Sequence, residues 1–193
     1  MVVRACAARE RPVCDPGAAA AWCGGMVYDE LDSITRRYML EEFDAERRGA
    51  SPYRPDEVPA PVWSRLQECV REAIVSGHAG DLMAGAEALA ETEDAARALG
   101  KRRLAELARF EFSTWYVRGL SRRLLEEGEA YCLVVHGEDG RSGYGKCGLF
   151  QGQLLPLKAV YHGHRARYWP EPGDRFALTV PACVECRHTI RRL

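Results

Sequence analysis

Cys183 and Cys186 stand in a Cys-Val-Glu-Cys run, the one tight cysteine pair in the chain. Two thiols separated by two residues can turn both sulfurs toward one tetrahedral ion, which then needs two further ligands. Cys132 and Cys147, upstream in a glycine-rich stretch, are the expected partners. The expectation is a structural zinc held by Cys132, Cys147, Cys183 and Cys186, which would tie the first hairpin of the tail to its end. Such binding is worth on the order of 10 kcal/mol, enough to decide whether a small tail poor in apolar residues folds at all. The same residue types also allow the thiols simply to pack as small hydrophobes. Cys6, Cys14 and Cys23 are too widely spaced to read as a site.

His162 and His164 flank Gly163 on an expected strand, which would point both rings to one face. With His188 they form an alternative set of metal ligands, or a source of a general base. A third feature is the stretch that holds Phe110, Phe112, Trp115 and Tyr116, too many aromatics for one helical stripe. Trp115, Tyr116 and Arg118 are therefore expected where this helix meets the tail, in a buried seam or on an assembly surface. Arg165, Arg167, Arg175, Arg187, Arg191 and Arg192 gather near the end of the chain and could make weak contact with phosphate. The chain carries no P-loop, no G-x-S-x-G and no paired-carboxylate motif in a supporting context.

The elements that must position these residues change character along the chain. Residues 1–28 lack helical or strand periodicity and read as an N-terminal arm able to reach a neighbouring subunit. Helices are expected over 29–48, from Pro61 to Gly77 after a proline-rich linker, and over 81–90. The longest is expected to start at a Thr92 cap and run to Gly128 with a bend at Gly100. Beyond it, 131–136 reads as a strand, Glu138-Asp139-Gly140 as a turn, 152–161 as one or two strands, 169–173 as a rigid turn and 176–180 as the last strand. The fold class is α+β: an arm (1–28), a helical body (29–128) and a small β-rich, zinc-tied subdomain (129–193).

With 27 basic and 28 acidic side chains, the net charge of −1 argues against a protein whose main partner is nucleic acid. A 47% hydrophobic content is too high for a disordered chain. No run is apolar enough to span a membrane, and Arg4, Arg9, Glu10 and Arg11 interrupt any export signal. A reducing compartment is expected, where a close cysteine pair binds metal rather than oxidises.

The order of features in the second half resembles the C-terminal region of Mu-type phage head-morphogenesis or minor capsid proteins. It comprises Phe110-Glu111 through Arg118-Gly119, Asp139-Gly140, Cys147 and Gly152, then Pro181 and Cys186-Arg187-His188-Thr189-Ile190. The resemblance covers about residues 104–193. It implies a non-enzymatic particle component that contacts capsid, portal or neck proteins through its helices and arm, made in the bacterial cytoplasm and carried into the virion. The run 178–188, preceded by His162 and His164, also resembles the end of an HNH nuclease module, in which a histidine activates water and a metal stabilises the leaving oxygen. The near-neutral charge ranks that reading second.

Overall fold

The computed structural model describes residues 27–92, 94–137, 150–167, 169 and 177–193. The arm up to residue 26, Glu93, the Glu138-Asp139-Gly140 turn, Cys147, Arg175, Phe176 and most of the 169–173 turn lie outside the described residues. Thr92, expected to cap the long helix, is instead the last residue of a preceding helix, and the longest helix begins at Lys101. The fold is α+β. Among the described residues the chain forms α1 (Ser33–Arg48), α2 (Ala60–Ser76), α3 (Ala79–Thr92), α4 (Asp94–Leu99), α5 (Lys101–Glu126), β1 (Tyr131–His136), β2 (Leu154–Pro156), α6 (Leu157–His162) and β3 (His188–Arg191).

Each helix starts where its sequence allows. Asp32 caps α1, its side chain accepting from Thr35 N at 2.8 Å, and α1 ends at Gly49. Pro61 occupies the first turn of α2, where its missing N–H costs nothing. The expected bend at Gly100 is a full break: φ there is +81°, a conformation glycine adopts without a Cβ penalty, so α4 and α5 are separate helices.

α5 is the axis of the molecule. It is buried almost throughout from residue 104 to 124 and so has no polar face to give to solvent. α1 lies against it so closely that a Cβ on Gly119 would sit 2.6 Å from the Met39 nitrogen. That approach puts the polar residues of α1 beside those of α5.

The sheet has the order β2-β1-β3, with both pairings antiparallel. Cys132 pairs with Leu155, Val134 with Ile190 and His136 with His188. These residues share the inward face of the sheet, since alternate positions of a strand point the same way. One apolar core runs from Met39, Phe43, Leu66 and Val70 through Leu107 and Trp115 to Cys132, Val134, Leu157 and Ile190, so body and tail are packed together.

Two strand expectations are corrected. Of 152–161 only Leu154–Pro156 is strand, and the rest is α6, because Leu157 and Val160 bury themselves three residues apart. The segment 178–180 is not strand either. It crosses Gly163, where a Cβ would meet Leu178 O at 2.7 Å, and Thr179 Oγ1 donates to Gly163 O at 2.6 Å. No helix among the described residues is long and apolar enough to cross a membrane.

Candidate functional site

Two polar clusters flank α5 where the tail meets it. The first is built around Arg165, in the turn after α6. Its guanidinium donates through Nη1 and Nη2 to both oxygens of Glu111, at 2.9 and 2.7 Å, and through Nε to Glu46 at 2.9 Å. Gln67 of α2 donates to the same Glu111 at 3.2 Å. Arg165 and Glu111 are each 1% exposed, so this planar, two-pronged pairing forms out of water, where geometry decides whether it stabilises. The cation also lies over Tyr53 at 4.1 Å and Trp115 at 5.2 Å. Reaching these partners holds Arg165 at φ +55°, the left-handed region.

His164 completes the cluster. It is 14% exposed, its Nε2 lies 3.3 Å from Glu46, and its ring packs on Trp115 with centroids 5.1 Å apart. Burial pushes its pKa down to about 4 even though Glu46 opposes the shift, so the ring is neutral at pH 7. Burial of Glu46 works against its charge, but Arg165 and His164 outweigh it and hold the carboxyl at about 2. His162, by contrast, ends α6 and is exposed. The expectation that the two rings share a strand face fails because they sit at a helix end and the turn beyond it.

The rest of this seam joins α1, α5 and α6. Arg118 donates to Glu42 at 2.7 Å and to Tyr161 O, with its guanidinium 3.6 Å from the Tyr161 ring centre. Tyr161 donates to Glu42 at 3.1 Å. Trp115 meets Phe43, and Tyr116 meets Tyr28 while its hydroxyl accepts from Glu30 N at 3.2 Å. Trp115 and Arg118 thus touch tail residues, Tyr116 touches the segment before α1, and the two aromatics are buried within the chain.

The second cluster surrounds the cysteine pair. Arg109 of α5, also buried, donates to the carbonyls of Cys186 and Val184, the former at 3.1 Å. Cys186 N donates to Cys183 O at 3.0 Å, closing the turn between the cysteines. Cys186 Sγ lies 3.3 Å from His188 Nδ1, and the His188 ring stands edge-on to His136 at 4.7 Å. Burial, then the neighbouring Cys186, raises the pKa of Cys183.

Of the four cysteines expected to share one ion, Cys147 lies outside the described residues, Cys183 and Cys186 share the turn, and Cys132 is placed away from them. Cys132 lies four residues from His136 along β1, about 13 Å at the usual strand rise. Its buried sulfur contacts Leu155 O at 3.7 Å, and burial raises its pKa to about 11. Among the described residues no three His, Cys, Asp or Glu side chains already surround one point. The C-terminal arginines are dispersed as well: Arg165 is buried, and Arg192 engages Glu30, Glu127 and Glu129.

The Arg165 cluster escaped the motif search because its members are scattered over α1, α2, α5 and the turn after α6. Its one local signal is Glu111, a carboxylate between Phe110 and Phe112 inside a helix otherwise rich in core residues. No family model, curated protein or solved structure matches this chain.

Proposed function

We propose that this chain is a structural or assembly component of a phage or phage-like particle, a minor head or neck-associated protein rather than an enzyme. The observation that carries the non-catalytic part is the use made of the buried ionisable groups. Glu46 and Glu111 are locked onto Arg165, and His164 is wedged neutral between Glu46 and Trp115. A catalytic acid or base must meet its substrate and exchange a proton near working pH. These side chains instead hold α1, α2, α5 and the tail in one arrangement, which suits a building block. The particle part rests on the motif order of residues 104–193. In this reading the helices and the N-terminal arm contact capsid, portal or neck proteins, and zinc at the Cys183–Cys186 turn has a scaffold role.

Sedimentation of particles from cells that produce them tests the proposal. The chain is expected to travel with the capsid protein through a density gradient, at a fixed copy number per particle by mass spectrometry. Its presence only at the top of the gradient overturns particle membership. A plasmid-nicking assay with Mg or Mn is expected to show no cleavage, and nicking that disappears in His164→Ala would establish the nuclease reading instead.

A further inference from the structure

His136 and His188 are directly opposed in the β1–β3 ladder, so their side chains leave the same face of the sheet. His136 Nδ1 lies 2.6 Å from Gly137 O. A carbonyl can only accept, so the proton sits on Nδ1 and the Nε2 lone pair is left for another partner. This is the arrangement by which a backbone carbonyl fixes the tautomer of a metal-ligating histidine. His188 is 3% exposed, and among the described residues the only polar contact of its ring is the Cys186 sulfur, with Nε2 buried and unpartnered.

The spacing of that pair fits a metal. Bonds of about 2.3 Å to sulfur and 2.0–2.1 Å to nitrogen at a tetrahedral angle put the two ligand atoms about 3.5 Å apart. Cys186 Sγ and His188 Nδ1 lie at 3.3 Å. Cys183 is one tight turn away, and Arg109 grips two carbonyls of that turn from the body of the protein. Cys186 and His188 are therefore already in place, with Cys183 exposed at the other end of the turn and the half-buried His136 directly across the ladder from His188 as the two further donors.

We propose that Cys183, Cys186, His188 and His136 bind one zinc ion at the open end of the β1–β3 ladder, with Cys132 outside the site. This deepens the zinc part of the function above and does not depend on the particle part. Bound there, the ion would clamp the last strand and the cysteine turn to β1, with Arg109 joining the assembly to α5.

Metal analysis of the purified full chain after dialysis tests this, together with zinc-chelator competition and the thiolate absorption of the cobalt-substituted protein. One equivalent of zinc is expected. Cys186→Ser and His188→Ala should lose it, His136→Ala should bind at least tenfold more weakly, and Cys132→Ser should keep it. His136 is only half-buried, so His136→Ala remains informative if the variants of the more buried ligands do not fold. Less than a tenth of an equivalent in the wild type overturns the site. So does zinc that survives both histidine substitutions, or zinc lost from a folded Cys132→Ser. Particle sedimentation is scored separately, so a zinc-free protein that still enters particles removes only the ion.

Discussion

α5 is tied to the tail at two places, and the two ties are built on opposite principles. At the Arg165 tie each buried charge meets its opposite inside the protein: Glu111 takes two prongs of Arg165, and Glu46 takes the third nitrogen and His164. At the cysteine tie the buried cation of the helix, Arg109, donates to the carbonyls of Val184 and Cys186, and the more exposed Arg103 reaches Glu185 at 3.9 Å. Around those carbonyls stand a thiol, a second thiol and two imidazoles with an unclaimed nitrogen between them. The first tie is closed and rigid, a place to carry load. The second has donors in hand, a place to take up a ligand.

Removing the cation at the closed tie should give the largest effect. Arg165→Met leaves Glu111 and Glu46 buried without their partner, and breaking one side of a buried pair costs about 3–5 kcal/mol. The urea midpoint should fall accordingly, by the same amount with and without a zinc chelator. A loss below about 1 kcal/mol would mean that water reaches the cluster and that the tie is not closed.

Acid probes the same tie more gently. His164 has a folded pKa of about 4 against an ordinary 6.5, so the unfolded chain binds the extra proton first and stability falls as pH drops through that window. Glu46 continues the trend: its folded value of about 2 lies below the ordinary 4.5, so the stability it contributes is present above about 4.5 and is lost as pH falls toward 2. The unfolding free energy should therefore decline from pH 6.5 to 4 by on the order of 2–3 kcal/mol, and His164→Gln should flatten that limb while leaving the one below it. An unchanged slope in His164→Gln would place the titrating group elsewhere.

How much of this was legible beforehand follows from the range of each interaction. α1 and α2 were readable because a cap, a proline at the first turn and an apolar stripe are local signals, and all act within one helix. β1 was found in full for the same reason. α6 was missed because Leu157-Lys158-Ala159-Val160-Tyr161 is too short for its period to tell strand from helix, and only packing on α5 decides. The Cys183–Cys186 turn was visible as spacing. Of its neighbours His188 was visible as an alternative ligand beside the pair, but His136 was not, because strand pairing brings it to His188 from 52 positions away in sequence, whereas Cys132 looked eligible on residue type alone. Arg165 was misread as part of a surface patch because sequence gives its charge but not Glu46 and Glu111 waiting for it.

Arg109 is the residue whose loss should separate the two ties. Arg109→Met removes two charge-assisted hydrogen bonds to carbonyls, a loss of about 1–2 kcal/mol, less than at Arg165, whose removal strands Glu111 and Glu46. If zinc also holds the turn, the penalty should be small in the loaded protein and grow when a chelator strips the ion, a dependence Arg165→Met lacks. Equal penalties in both conditions would mean that Arg109 holds the turn without help from zinc.

The smallest effect expected is the control for the whole comparison. Arg65 and Glu68 on α2 form an ion pair at 2.8 Å, within the 2.7–2.9 Å range of the Arg165 contacts, yet their side chains are 54% and 50% exposed. Water solvates both partners about as well apart as together, so Arg65→Ala should change stability by no more than about 0.5 kcal/mol, and less in high salt. Contact distance alone would rank this pair with Arg165 and Glu111. A thermal melt that found them equal would show that burial is not what distinguishes the closed tie, and the contrast between the two sides of α5 would have to be explained by geometry instead.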